Sequence, residues 1–281
     1  MNKPYFWRKG VNLLMLTVTA LSAGLAALAL LAVLGYVAVN GFSALSAGFL
    51  LHLPMPAGMP GGGIANAIVG SLIVVGLASV MALPVGLGAG IYLSEFGRNR
   101  FGDVVRYMAD VLSGVPSIVM GVFAYALIVA QQQHFSAFSG SFALAVMMLP
   151  AITRTTEEMM RMVPDILREG ALALGLPRWR VIISVVLPAA ASGVATGIVL
   201  AIARVAGETA PLLFTAFGNP YLSTAINQPI ATLPQTLFVY AISPYDDWRS
   251  QAWGAALVLA AFVLVTSAVV RYLGRRQRPS R

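Results

Sequence analysis

The sequence has no cysteine, and its 281 residues include only two histidines, His52 and His134, and two lysines, Lys3 and Lys9. Without cysteine the chain has no disulfide, no thiolate metal site and no cysteine nucleophile. The two histidines lie far apart in predicted loops, so no zinc site built from these two alone is expected. Both lysines precede residue 10, which rules out a Gly-x-x-x-x-Gly-Lys-Ser/Thr loop for binding the phosphates of ATP.

Charged residues are also scarce, at 10% of the chain against about 25% in soluble domains, while hydrophobic residues make up 58%. A soluble protein of this composition would have too few polar residues to cover its surface. Several apolar runs are longer than the roughly 20 residues that span a bilayer. The composition therefore predicts an integral membrane protein with no room for a sizeable soluble domain.

Six apolar segments are long enough to cross a membrane, which predicts an all-α protein with six transmembrane helices. They cover residues 11–39, 65–95, 104–130, 141–163, 185–217 and 252–273. The first follows a basic tail, as the apolar core of a signal peptide does, but it is nearly twice as long as such a core, so we interpret it as a retained helix. We divide the chain into residues 1–64, with the N-terminal tail, first helix and outer loop, and residues 65–281, the main membrane domain.

The net charge of +8 could indicate a nucleic-acid binder, but the basic residues flank the apolar spans instead of forming one groove. Fifteen of the 18 lysines and arginines fall on one side: in the two terminal tails and near 98–106 and 161–180. The segments 40–64 and 131–140 on the other side have none. Because positively charged loops stay in the cytoplasm, we predict a multi-pass protein of the cytoplasmic membrane with both termini inside.

Two arginines fall inside apolar spans, and one of them is Arg204 in the fifth span. An arginine at mid-membrane costs about 2.5–3.5 kcal/mol, so its side chain is expected to face the bundle interior or an aqueous path. Glu208 lies four residues on, which in a continuous helix is the same face one turn away, and Thr209 adds a hydroxyl. Two interpretations stay open: a polar patch on a conduction path, or a self-neutralised ion pair that only helps the bundle to pack.

The other intramembrane arginine is Arg154, toward the cytoplasmic half of the fourth span. At that depth its side chain could simply extend to the membrane interface, or it could join Arg204 on a path. Two buried arginines against the single carboxylate of Glu208 leave positive charge within the membrane. Such an excess favours an anionic ligand, and planar guanidinium groups suit a tetrahedral oxyanion.

A helical elbow is predicted at 164–188, the longest polar break on the cytoplasmic side. A proline followed by an acid marks its first helix, Gly175 ends that helix, and Pro177 begins a second short helix that runs to Pro188. Taken alone, the elbow could be only a connector between two spans.

The elbow carries a motif that resembles the EAA loop of ABC import permeases. The family pattern is Glu-Ala-Ala, three residues, Gly, nine residues, Ile, one residue, then Leu-Pro. The matching positions here are Glu169, Gly170, Ala171, Gly175, Val185, Leu187 and Pro188. The chain departs from the pattern at Val185, for isoleucine, and at Gly170, for the first alanine, which costs about 1 kcal/mol of helix propensity. In this family the loop is a coupling helix that docks into the ATPase subunit.

Three further segments are similar to the phosphate permeases of this superfamily, and more to the PstA type than to its partner, the PstC type. They are SGVPSIVMG at 113–121, ITRTTE at 152–157 and ARVAGETAPLL at 203–213. The similarity extends from about Asn66 to the C-terminus. In the family, the equivalents of Arg154, Arg204 and Glu208 serve phosphate passage, and Thr209 lies beside them in the motif.

The resemblance implies the MetI-like fold of ABC type I importer permeases, with residues 65–281 as the permease domain and the coupling loop near 164–188. It implies half of the transmembrane path of an ATP-driven phosphate importer in the bacterial inner membrane. The partners would be a PstC-type permease, two PstB-type ATPase subunits that bind the ATP and Mg²⁺, and a PstS-type phosphate-binding protein. This chain itself would hold no cofactor.

Two alternatives remain. A permease for another oxyanion, such as sulfate or molybdate, differs only in the ligand, and the segment around Arg204 and Glu208 favours phosphate. A membrane-embedded enzyme would need a cluster such as His-Glu-x-x-His or a pair of carboxylates lining a pocket. The sequence has no such motif, and the adjacent Glu157 and Glu158 point to different parts of the helix surface.

Overall fold

The structure, a computed structural model, describes residues 5–59 and 61–276, and within these ranges the regular structure is helical. The α-helices, in chain order, are α1 (Tyr5–Ala44), α2 (Ala47–Leu51), α3 (Ala65–Glu95), α4 (Arg100–Gly114), α5 (Ser117–Ala124), α6 (Ala130–Gln132), α7 (Ala137–Arg161), α8 (Asp165–Ala173), α9 (Arg178–Val181), α10 (Leu187–Ala206), α11 (Ala210–Leu213), α12 (Leu233–Ala241) and α13 (Asp246–Arg276). Two π-helical turns, Tyr125–Val129 and Ile182–Val186, join α5 to α6 and α9 to α10. The predicted N-terminal and C-terminal tails include residues 1–4 and 277–281, which lie outside the described residues.

Within residues 5–59 and 61–276, five helical segments are long and apolar enough to span a membrane. They are Tyr5–Ala44, Ala65–Glu95, Ala137–Arg161, Arg178–Ala206 and Asp246–Val265. The predicted span 104–130 is instead a bent pair, in which α4 and the segment Ser117–Gln132 meet at 105°. Proline disfavours helical geometry in the residue before it, and Val115, which precedes Pro116, is extended (φ −73°, ψ 130°). The all-α prediction is confirmed, with five continuous spans and a sixth when this bent pair crosses as one unit.

The fifth span begins earlier than predicted. The π-helical turn Ile182–Val186 makes α9 and α10 one continuous helical segment, Arg178–Ala206. The turn falls where Pro188, which has no N–H, cannot donate to the carbonyl four residues before it. The second helix of the elbow begins at Pro177 as predicted, but it is not a separate short helix, because its residues form the first part of the span.

The fifth span also ends earlier than predicted, at Ala206 instead of residue 217, with Gly207 as the C-cap. Glycine weakens a helix interior, and Pro211 has no N–H to continue the hydrogen-bond ladder. The chain passes through an irregular link and then forms the four-residue helix α11. This early end determines where Glu208 and Thr209 lie.

Helix α7 is the centre of the bundle and packs against α3 and α10. Its side chains Leu144, Met148 and Ile152 are fully buried in the main core. Glycines let the neighbouring backbones approach: a Cβ on Gly86 of α3 would lie 2.8 Å from Ile152 Cγ2, and one on Gly197 of α10 would lie 2.1 Å from Thr155 Cγ2. Close contact through small residues is the usual way in which helices pack in membranes.

The segments that connect the spans at the end of the bundle opposite α8 are partly helical and form a second core. Helices α2 and α12 pack against α3 and α13 around Ile64 and Tyr240. Helix α1 joins this region near its C-terminal end, where Gly41 lies against the Trp253 carbonyl and the Tyr36 ring meets the Trp253 ring edge-on, with centroids 5.2 Å apart. Most of α1 is exposed and apolar, so this surface is available to lipid or to another subunit.

Candidate functional site

Arg204 lies at mid-height in the bundle. It occupies the last turn of α10 and lines two cavities that both include Ala151, a residue near the middle of α7. The larger cavity, of about 450 Å³, is a groove between α7 and α10 whose α10 wall includes Gly193 and Gly197. Arg204 is therefore level with the centre of a membrane-spanning helix.

The Arg204 side chain is exposed in the isolated chain and forms no hydrogen bond or ion pair within residues 5–59 and 61–276. The Glu208 carboxylate has no such partner in these ranges either. The expected one-turn pairing of Arg204 with Glu208 is wrong, because α10 ends at Ala206 and Glu208 lies in the link that follows. Thr209 is the N-cap of α11, and its hydroxyl lies 3.5 Å from the backbone carbonyl of Pro234. The interpretation of Arg204 and Glu208 as a packed ion pair is therefore contradicted.

Arg154 binds Asp110 of α4 through a bidentate pair of hydrogen bonds. Its Nε donates to Asp110 Oδ1 at 3.0 Å, and its Nη2 donates to Asp110 Oδ2. The Asp110 side chain is still 60% exposed, so this pair faces open space on one side. A carboxylate presents two oxygens much as a phosphate does. Asp110 thus occupies the positions on Arg154 that two oxygens of an oxyanion would take.

A buried carboxylate, Glu157 of α7, holds three arginines together; we call Glu157, Arg106, Arg154 and Arg161 the Glu157 cluster. Glu157 is only 2% exposed, and its Oε1 lies 2.7 Å from Arg106 Nε and 2.8 Å from Arg161 Nη2. Its Oε2 lies 3.5 Å from Arg154 Nη1. Buried charges are costly unless they are paired, so the cluster is stable only when it is complete. It joins α4 to α7 and orients Arg154 toward Asp110.

The sequence interpretation missed Asp110 and Glu157. Asp110 lies inside the predicted third span, where a carboxylate is as conspicuous as an arginine, and that signal identifies it. Glu157 follows Arg154 by three residues and precedes Arg161 by four, the spacings of helix ion pairs. Its contact with Arg106 has no local signal, because the two residues are brought together only by the packing of α4 on α7.

The two intramembrane arginines lie one helical turn apart in height. The small cavity beside Arg204 is lined by Ser113 of α4 and Ala151 of α7. Asp110 lies three residues from Ser113, and Arg154 lies three residues from Ala151, both toward the Glu157 cluster. One turn of helix rises about 5.4 Å. An anion bound at Arg204 would therefore be within one short step of the Arg154–Asp110 pair.

Helix α8 carries the first part of the elbow motif and has one buried face and one exposed face. Ala171 is buried against the cluster that includes Met160 and Val186. Glu169 and Gly170 are exposed, and a Cβ on Gly170 would meet nothing within 4 Å. The outward face is thus open in the isolated chain.

The rest of the motif shapes the chain reversal after α8. Gly175 has φ +82°, a left-handed conformation that favours glycine, and its N–H donates to the Leu172 carbonyl at 2.9 Å. Leu187 and Pro188 form the first turn of α10, where Leu187 packs against the same core cluster as Ala171. The motif therefore links an exposed helix to the base of the fifth span.

Arg168 fastens α8 to two membrane helices. Its Nη2 donates to Glu95 Oε1 at 3.0 Å, at the end of α3, and to the Met160 carbonyl at 2.8 Å, near the end of α7. Its Nη1 donates to the Val163 carbonyl at 2.6 Å and to Asp165 Oδ1 at 3.1 Å. A displacement of α8 is thus transmitted to α3 and α7 through charged hydrogen bonds.

A cavity of about 570 Å³ opens at the opposite end of the bundle, between the segments 53–57 and 217–221 and helix α12. Burial, with a smaller contribution from Asp247, raises the pKa of Tyr240 in its wall to about 12, so this phenol stays neutral. No lysine or arginine is among the described residues that line it. The cavity therefore has no cation with which to hold an anion.

Comparison with known families gives one match that covers most of the chain. The family described as "Binding-protein-dependent transport system inner membrane component" matches residues 82–279. The phosphate transport system permease protein PstA of Yersinia pestis is 41% identical over 277 residues, which cover 98% of this chain and 94% of that protein. PstA of Xylella fastidiosa (strain Temecula1) is 50% identical over 225 residues, with 79% and 78% covered.

Comparison of the folds points to the same class. The inward-facing structure of the MetNI methionine ABC transporter superposes with a TM-score of 0.66 over 77% of this chain and 96% of the compared chain, at 15% identity. At that identity the likeness concerns the fold alone. The predicted MetI-like permease fold is confirmed.

Proposed function

Because the chain belongs to the family of binding-protein-dependent transport system inner membrane components, and matches PstA phosphate permeases over nearly its whole length, we propose that it forms half of the transmembrane path for inorganic phosphate in an ATP-driven importer. As a permease subunit it provides a passage for the substrate, and the chemical energy comes from other subunits.

The observation that carries this proposal is the unpaired Arg204 at mid-height on an exposed face. An arginine facing lipid at that depth would be strongly unfavourable, so the face must border water or protein in the membrane. A second, homologous permease of the PstC type, packed against this side, would enclose an aqueous path lined by Arg204. Positive charge on that path attracts an anion, and a guanidinium binds a tetrahedral oxyanion through two hydrogen bonds.

Passage past Arg154 would take place by exchange of acceptors. Phosphate arriving from Arg204 would displace Asp110 from the two prongs of Arg154, and Asp110 would return when phosphate leaves toward the cytoplasm. The exchange keeps Arg154 paired throughout, which avoids the cost of an uncompensated buried charge. Glu208 and Thr209, in the link after α10, would border the same path on its outer side.

Coupling to ATP would use α8 as the docking element. Ile166 and Leu174, on α8 and just after it, and Met162, just before it, are exposed apolar side chains that an ATPase subunit would cover. Two PstB-type subunits would bind the ATP and Mg²⁺. Their closure would displace α8, and the hydrogen bonds of Arg168 would carry that displacement to α3 and to α7, which lines both cavities at Arg204.

The complete importer would include a PstS-type phosphate-binding protein that delivers the anion from outside. The chain would lie in the bacterial inner membrane with both termini cytoplasmic, so that the basic loops and α8 face the ATPase. Reporter fusions test this orientation: one after Gly274 is expected to behave as cytoplasmic, and one within residues 54–61 as periplasmic. An odd number of spans in a fusion series would contradict it.

Phosphate uptake in Arg204 variants tests the path. We expect Arg204→Gln to insert and assemble normally, because the side chain has no internal partner to lose, and to lose phosphate flux by about 100-fold, as for a charged hydrogen-bonded contact of about 3 kcal/mol. Arg204→Lys keeps the charge without the two-pronged geometry and is expected to give an intermediate flux. Uptake is measured with radioactive phosphate and divided by the amount of assembled complex.

Arg249→Gln is the matched control, because Arg249 is an exposed arginine in the outer segment whose partner is the exposed Asp246. It is expected to transport like the wild type. Wild-type flux per complex in Arg204→Gln would remove this residue from the path. Glu208→Gln belongs in the same series: if it alone abolishes assembly, Glu208 has a structural role and does not border the path.

A further inference from the structure

A cavity lined by several arginines lies beneath the elbow, away from the two cavities at Arg204. This elbow cavity, of about 690 Å³, lies between the end of α3, helix α8 and the α9 turn. Its charged lining residues are Glu95, Arg98, Arg161, Asp165, Arg168 and Arg178. Its volume falls within the roughly 300–1,000 Å³ of small-molecule sites.

The two carboxylates that line the elbow cavity already accept hydrogen bonds within the chain. Glu95 and Asp165 both accept hydrogen bonds from Arg168, at 3.0 and 3.1 Å. Arg161 is held by the buried Glu157 at 2.8 Å. Both carboxylates of the cavity thus share Arg168, and Arg161 is bound by a carboxylate outside the lining.

Arg98 and Arg178 are different. Both are exposed, both line the elbow cavity, and neither side chain forms a hydrogen bond or an ion pair with any residue the structure describes. They approach the cavity from separate elements: Arg98 from the loop after α3, and Arg178 from the start of α9. The cavity therefore carries a net charge of +2 from side chains, with two guanidinium groups available to an incoming anion.

We propose that the elbow cavity binds a phosphate group through Arg98 and Arg178. Two guanidinium groups from separate elements can together bind the oxygens of a phosphate monoester or diester, each through paired N–H donors. One part of the wall is apolar, with Leu172 of α8 and with Val181 and Ile182 about one helical turn after Arg178. Such a wall accommodates the glycerol and upper acyl carbons of an anionic lipid, and basic pockets near the cytoplasmic ends of membrane helices bind such headgroups. Free inorganic phosphate has the same binding chemistry without the apolar part.

The site is separate from the transport path. None of the residues that line the elbow cavity lines either cavity at Arg204. Because α8 forms one wall, an occupant would contact both α8 and the end of α3, on either side of the Arg168 hydrogen bonds. The elbow cavity could bind a phosphate group whether or not the chain conducts phosphate.

The test is a binding measurement with two ligands on the purified full chain. In the lipid arm, delipidated protein is titrated with phosphatidylglycerol and bound lipid is counted by native mass spectrometry, with phosphatidylcholine as the neutral comparison. In the phosphate arm, binding of radioactive inorganic phosphate is measured in the Arg204→Gln background, which removes the proposed path site. We expect binding in at least one arm, with the lipid arm tighter because of the apolar wall.

The variants compare two pairs of exposed arginines. Arg98→Gln/Arg178→Gln removes the charges that line the cavity, and Arg100→Gln/Arg180→Gln removes the same number of exposed charges two residues away, outside the lining. We expect the first pair to weaken binding at least about tenfold and the second to leave it near wild type.

Three results would overturn the proposal. Equal weakening by both pairs would indicate general electrostatic attraction. Absence of binding in both arms would exclude the site. If Arg98→Gln/Arg178→Gln binds both ligands normally but loses the ATPase subunit, the two arginines serve a protein interface instead.

Discussion

We expect the Glu157 cluster to make a large contribution to the stability of the fold, and Glu157→Gln tests it. Glu157→Gln keeps the shape of the side chain and removes its charge. Glu157 Oε1 lies 2.7 and 2.8 Å from the Arg106 and Arg161 guanidinium groups. Hydrogen bonds to charged groups contribute about 1.5–3 kcal/mol. In the glutamine variant only the arginine of each pair is charged, so each of the two contacts is weaker.

Repulsion between the arginines adds to that loss. All three guanidinium groups lie within 3.5 Å of the same carboxylate. At a separation of roughly 7 Å and an effective dielectric constant of about 20, each pair repels by about 2 kcal/mol, and the half-exposed Arg161 relieves part of this. We expect the free energy of unfolding to fall by about 3–5 kcal/mol, the range for breaking a buried ion pair.

Thermal unfolding of the detergent-purified chain measures the effect, and a loss of this size lowers the midpoint by on the order of 10 °C. Glu158→Gln is the matched control, because Glu158 is the exposed neighbour on the same helix. It should melt like the wild type. If Glu157→Gln melts together with Glu158→Gln, the cluster does not contribute to stability as its geometry indicates, and the orientation of Arg154 must have another cause.

Three further substitutions probe the elbow and the helix packing. Gly175→Leu forces a side chain into φ +82°, at a cost of about 1–2 kcal/mol, and should abolish uptake while the chain still inserts; Gly170→Ala, in open space on α8, should transport normally. Arg168→Gln should leave ATP hydrolysis running with less phosphate moved per ATP, and an unchanged ratio would contradict its role as a link. Gly90→Leu should lower stability by about 1–3 kcal/mol or more, because its Cβ would lie 2.5 Å from Thr156 Cβ. Gly76→Leu should leave the stability unchanged, because a Cβ on Gly76 would meet nothing within 4 Å. Equal melting temperatures of these two variants would contradict the close packing of α3 on α7.

Two arginines of the candidate site could be predicted from the free-energy cost of placing a charged side chain in a membrane. A charged side chain inside an apolar run is conspicuous because lipid cannot solvate it, which is why Arg154 and Arg204 stand out without a structure. The pairing of these residues could not be predicted. Glu208 lies four residues from Arg204, but the helix ends between them, because Gly207 and Pro211 together weaken the ladder at that point.

Hydropathy and charge by themselves determined that this is a helical membrane protein, how many apolar segments it has and which loops carry the positive charge, because a bilayer imposes length and apolarity on each span separately. The elbow motif likewise determined the position of α8 and of the turn at Gly175. Only the tertiary structure decided the burial of Glu157 among three arginines and the binding of Arg154 to Asp110. These features depend on contacts between α4 and α7, across about 50 residues of sequence, and such contacts exist only when the packing of whole helices brings the side chains within reach.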